Sequence, residues 1–164
     1  TEFVVAGPYK VPVYEGRSAR VVGRAEADAS FKAPVHQEEE RVHVSAMRSG
    51  GGTTPVCVGR ATKGFGQECF THHKLHKCNE ALADCGRGSL VILFFEAPSG
   101  RRVPARNINL LENFLMQSAP AVNDRLLDIR KTGQERWRIR GVVRSQRRGA
   151  RSKAARQAAA MPGL

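Results

Sequence analysis

The sequence predicts an α+β protein: a small helical C-terminal core with short strands, preceded by a long, largely irregular N-terminal extension. Three observations lead there. Ile108, Leu111, Phe114 and Leu115 fall at i, i+3, i+6 and i+7, which lines up one apolar helix face. Leu90-Val91-Ile92-Leu93-Phe94-Phe95 is a short continuous apolar run between Gly88-Ser89 and Pro98-Ser99-Gly100, as a buried strand should be. The 164 residues include 16 Gly and 8 Pro but only 6% aromatics, a composition that calls for much irregular backbone. The length suits one domain, or a small domain with extensions. The six-residue run at 90–95 is the longest apolar stretch, too short for a membrane-spanning helix.

Three segments follow along the chain. Residues 1–55 read as the extension. Its β-prone patches, Phe3-Val4-Val5 and Val11-Pro12-Val13-Tyr14, carry Pro8 and Pro12, which restrict them to edges or lone extended pieces. Val42, Val44 and Ala46 alternate with His43, Ser45 and Met47, a weak strand signal. Ser49-Gly50-Gly51-Gly52-Thr53-Thr54 reads as a flexible linker. Residues 56–100 form a strand and Cys/His-containing segment: a short strand at Val56-Cys57-Val58, a Gly-rich turn at Lys63-Gly64-Phe65-Gly66, a polar stretch over 69–85, then the buried strand. Residues 101–164 read as helical. The first helix has Asn107 and Asn109 as N-cap candidates and Pro120 beyond its end. Its apolar face is expected to pack on the strand 90–95 and on a protein partner, as the one sizeable apolar cluster. A shorter helix fits 124–130, Trp137-Arg138-Ile139-Arg140 alternates like an extended segment, and a last helix fits 144–160.

Charge is the strongest functional signal. The chain holds 27 Lys+Arg against 15 Asp+Glu, a formal net charge of +12. Residues 136–164 hold nine basic side chains and no acidic one: Arg136, Arg138, Arg140, Arg144, Arg147, Arg148, Arg151, Lys153 and Arg156. They supply three quarters of the net charge. Guanidinium groups fork onto phosphate oxygens and stack on bases, so the partner expected is structured nucleic acid. Arg140, Arg144, Arg147, Arg148 and Arg151 follow helical spacing and make one basic stripe. The alanines around it favour helix but carry little apolar surface, so contact with RNA is expected to order this helix.

The C-terminal part resembles bacterial-type small-subunit ribosomal protein eighteen. The residues that carry this are Asn107-Ile108-Asn109-Leu110-Leu111-Glu112-Asn113-Phe114-Leu115, similar to the family's first helix, and Arg138-Ile139-Arg140-Gly141, similar to its Arg-Arg-x-Thr-Gly turn. To these is added Gln146 to Pro162, similar to its closing Arg/Ala-rich helix. The likeness covers about residues 90–164. Arg140 stands where the family has Thr, and the Cys that many members carry before the first helix is absent, so no metal site is carried over. The resemblance implies a structural constituent of the small subunit, binding ribosomal RNA and sitting beside small-subunit ribosomal protein six. The inserted and preceding residues suit a mitochondrial ribosome. The sequence starts at Thr1 rather than Met, for which a cleaved organellar targeting peptide is one explanation and an unobserved flexible start the other.

Two other constellations compete. Cys69, His72, His73, His76, Cys78 and Cys85 are of zinc-ligand type. Their spacing is irregular and lacks a Cys-x-x-Cys pair, so they are read as buried thiols and exposed histidines; no metal or cofactor is expected. Gly64-Phe65-Gly66 with Phe70 and His72-His73 faintly resembles the aromatic motifs of cold-shock OB-fold domains. That resemblance implies the alternative function, a free-standing RNA-binding regulator with a basic tail. No catalytic set stands out, and the chain is not expected to be an enzyme.

Overall fold

The computed structural model describes residues 1–16, 20–32, 41–50, 52–61, 65–98, 101–118, 138–139, 142 and 152–161. Four long strands, β1 (Glu2–Lys10), β4 (Arg41–Ser49), β5 (Gly52–Ala61) and β6 (Ser89–Glu96), pair antiparallel in the order β5-β4-β6-β1. A two-residue strand, β7 (Arg138–Ile139), adds to β1 in parallel. A small separate ladder joins β2 (Tyr14–Glu15) to β3 (Arg20–Val21). The helices are α1 (Arg24–Ser30), α2 (Phe65–Cys69), α3 (His72–Asp84), α4 (Ala105–Ser118) and α5 (Lys153–Ala159).

The expected fold class is thereby corrected. The N-terminal residues are no irregular extension, since β1 and β4 lie inside the main sheet. Pro8 does not prevent this. It falls where the β1–β6 register shifts between Ala6 and Tyr9, and β7 pairs only with Glu2 and Phe3. On its other side Pro8 faces no described strand, so its missing N–H interrupts no ladder there. Gly7, at φ +102°, makes this bulge possible: a Cβ there would lie 2.8 Å from the Ile92 carbonyl oxygen. The glycine-rich stretch at 49–54 is the tip of a hairpin, with Ser49 paired to Gly52.

The sheet carries a core on each face, because side chains alternate along a strand. Val42, Val44 and Ala46 of β4 and Val91, Leu93 and Phe95 of β6 join Phe3, Ile139, Val103, Ile108, Leu111 and Leu115 in one cluster. Met47, Leu90, Ile92 and Phe94 point the other way, into a second cluster with Phe31, Phe65, Phe70, Cys69, Cys78 and Leu82. Helices α4 and α5 thus cover one face, and α1, α2 and α3 the other. The expectation of a single sizeable cluster fails for this reason. The run 90–95 is a buried strand as predicted, with every side chain at most 2% exposed. Full burial of each Leu, Ile, Val or Phe is worth about 1.5–3 kcal/mol.

Helix α4 starts earlier than expected. The Ile108 amide donates to the Pro104 carbonyl at 3.3 Å, so Pro104, rather than Asn107 or Asn109, is the cap. Phe114 is half-buried at the edge of the cluster, while Ile108, Leu111 and Leu115 are buried. The helix expected at 124–130 lies outside the described residues.

Candidate functional site

The Cys/His stretch folds into α2 and α3 and is pulled apart by helical geometry. Cys78 and Leu82, four residues apart, face the sheet with Leu75 and Ala81 beside them. His72, His73 and His76 are exposed, and Cys85 is exposed beyond the helix end. His76 lies 3.4 Å and Lys77 3.1 Å from the Glu80 carboxylate, in i, i+4 and i, i+3 pairs on the solvent side. Among the described residues no three His, Cys, Asp or Glu side chains are placed to hold a metal ion. The motif residues Phe65, His72 and His73 lie on helices 65–69 and 72–84, not on the adjacent strands that a cold-shock motif uses.

What the fold does gather is a buried polar cluster under α2 and α3. His43 of β4 is fully buried, with neither ring nitrogen hydrogen-bonded. Its ring meets Phe65 edge-on, with centroids 5.5 Å apart. Gly59 is its ladder partner on β5. A Cβ at 59 would lie 2.5 Å from the Lys74 Nζ and 2.8 Å from the His43 ring, so only glycine leaves room for both. The Lys74 ammonium donates to the Glu68 carbonyl at 2.6 Å. Burial, with Lys74 as the lesser cause, holds His43 well below its usual range, so the imidazole is neutral. Burial pushes the Cys69 thiol well above its ordinary value, and the opposing pull of Lys74 does not win. Burial likewise pushes Cys78 up to about 12 and raises Cys57. The nearby Ser45 hydroxyl opposes the rise at both Cys69 and Cys78 as a lesser cause, and burial wins. Protonated, enclosed thiols are poor nucleophiles and poor metal ligands. Cys69 and Cys78 act here as small hydrophobes in the core.

The predicted basic residues divide into three groups. Lys153 and Arg156 are exposed on α5. Arg138 belongs to β7, its backbone in register with Glu2. Arg136, Arg140, Arg144, Arg147, Arg148 and Arg151 lie outside the described residues, as does most of the helix expected over 144–160. For the described part, α5, the expectation that this helix buries little surface in its own domain is corrected. Ala154, Ala155, Ala158 and Met161 are buried, and the helix packs on β1. Small side chains let its backbone come close to the strand. The Ser152 hydroxyl caps it, accepting from the Ala155 amide at 3.1 Å.

Sequence reasoning missed a second basic group. Arg101, Arg102 and Arg106 are exposed around the start of α4. Arg60 reaches this helix from β5 and donates to the Asn109 side-chain oxygen. Three basic residues within six were visible in the sequence, but the small net charge averaged over residues 1–135 concealed them. Arg41 is different in kind. It is 1% exposed, 3.3 Å from the Glu96 carboxylate and 4.9 Å above the Phe94 ring, so it is committed to the core.

Comparison of the chain with protein-family models, with curated proteins and with solved structures finds no match in any of the three.

Proposed function

We propose that this chain binds structured nucleic acid, RNA in the first instance, through the arginines of residues 136–156. The observation that carries the reading is the segregation of charge: nine basic and no acidic side chains in residues 136–164. Two pieces of this segment dock on the same strand. Ile139 is buried beside Phe3, and α5 packs on β1 through its alanines. A basic stretch joined to the core at both ends loses less entropy on binding than a free tail. Phosphate contacts then supply affinity, each releasing counterions.

The narrower form of this reading is a structural constituent of the small subunit of a mitochondrial ribosome, with ribosomal RNA as ligand and small-subunit ribosomal protein six as neighbour. Its support is the order of the three sequence segments at 107–115, 138–141 and 146–162. The helical core that the resemblance implied is not what the sheet provides. The narrower form therefore stands on those segments alone.

The test replaces Arg147, Arg148 and Arg151 together by Glu in the full chain. Affinity for a structured RNA at moderate salt should fall by about tenfold or more, because three phosphate contacts become repulsions. Unchanged affinity would show the stripe to be a solvated face. Sedimentation at high salt tests the narrower form, which requires stoichiometric co-migration with small subunits.

A further inference from the structure

Resting on that reading, we infer that the start of α4 is a second phosphate-contacting surface, continuous with the α5 side of the same face, and that its partner is a double-helical backbone. The placement comes from β1. The Asn107 side-chain amide donates to the Thr1 hydroxyl, and Glu2 is in register with Arg138. The first turn of α4 and the entry to the arginine-rich stretch therefore meet at the same end of one strand. Val103 and Ile108 beneath α4, and Ala154 and Ala158 beneath α5, share the cluster around Phe3. Both helices thus lie on one face of the sheet. Their outward side chains include Arg101, Arg102, Arg106, Lys153 and Arg156, all exposed. Arg60, held by Asn109, lies at the margin. In α4 and its approach from residue 101, the one acidic side chain is Glu112, which is half-buried. The N-terminal end of a 14-residue helix adds a favourable dipole for phosphate oxygens.

The partner's form follows from what the described residues of this face present. Proteins that hold single strands pair a basic groove with aromatic rings on which bases stack. Among the described residues the large exposed hydrophobics are Tyr14 and Val21, both on the separate β2–β3 ladder. Six of the seven phenylalanines are buried and the seventh, Phe114, is half-buried in the α4 cluster. Among the described residues this face is rich in guanidinium groups and shows no exposed ring, a surface that contacts backbone and reads shape, which suits a duplex.

Binding of the full chain to a duplex RNA, a duplex DNA of the same sequence and an unstructured single strand of equal length tests this. The duplexes should bind more tightly than the single strand, and their ratio identifies which double helix is preferred. Replacing Arg101, Arg102 and Arg106 by Gln should weaken duplex binding about tenfold. It should also flatten the log–log salt slope by about 2 to 3, at 0.7–0.9 for each phosphate no longer neutralised. The Glu triple variant should bind more weakly still. An unchanged thermal midpoint in the Gln variant assigns the weakening to the surface rather than to folding. Single-strand preference by the unmodified chain would overturn the inference, as would an unaltered salt slope in the Gln variant. If the unmodified chain binds none of the three, the proposed function itself fails, which is a separate result.

Discussion

The two faces of the sheet are built from different chemistry. The face under α4 and α5 is mainly aliphatic, with Val42, Val44, Val91, Leu93, Ile108, Leu111 and Leu115 around Phe3 and Phe95 inside and arginines outside. The face under α1, α2 and α3 is aromatic and titratable. Phe31, Phe65, Phe70 and Phe94 pack at centroid distances from 4.6 Å to 6.5 Å around His43, Cys69 and Cys78. The first face offers little that changes with pH in its interior and carries cations on its outside. The second turns its polar groups inward, where stability depends on their staying neutral. The proposed binding and the expected acid sensitivity thus fall on opposite sides of one sheet.

The largest effects should come from removing a major side chain from either core. Phe94→Ala should cost about 3–5 kcal/mol and Leu111→Ala about 2–5 kcal/mol, read by denaturant unfolding. Comparable losses establish two cores. A loss below about 1 kcal/mol at Phe94 would mean that the aromatic face does not pack as described.

Stability should depend on pH through the second face. His43 is held well below its usual range in the folded protein, so below about pH 6.5 the unfolded chain takes up the proton first. Stability therefore falls as pH drops from that point. Cys78 runs the opposite way. Its folded value of about 12 exceeds the ordinary 9.0, so the unfolded chain loses its proton first and stability falls above about pH 9. Each group contributes a slope of at most about 1.4 kcal/mol per pH unit. His43→Leu should flatten the acid limb in a pH series of unfolding curves. An acid limb left as steep would place the responsible group elsewhere.

Gly59→Ala probes the crowding between β5 and Lys74. A methyl group there must displace the ammonium and press on the buried ring, at a cost of about 1–3 kcal/mol. Adding Lys74→Ala should recover part of that loss, and no recovery would put the strain on His43 alone. The smallest effect belongs to the first face. Ser152→Ala removes the cap of α5 and should cost about 1 kcal/mol, with the pH profile unchanged.

The contrast between the faces also explains what was legible. Strand β6 and helix α4 could be read from the sequence because both carry unbroken apolar patterns. Strand β4 was legible only as a weak alternation over residues 42–47. It is buried on both sides, yet its second face is made of His43 and Ser45 with Arg41 at its start, side chains that read as solvent-facing. Cys69 and Cys78 are legible as buried thiols, but the polar residues between them hide the apolar stripe of α3. For α5 the sequence showed helix propensity but not packing, because alanines are buried by close approach rather than by bulk. The basic character of residues 136–156 needs no fold to be seen. Arg60 joins the start of α4 only through the fold, since residue 60 lies far from Asn109 in sequence.

The salt dependence of duplex RNA binding by the unmodified chain tests the central claim most directly. With about six phosphates neutralised, log affinity should fall linearly with log salt at a slope of about −4 to −5. A slope near zero, or no binding at low salt, would contradict the account.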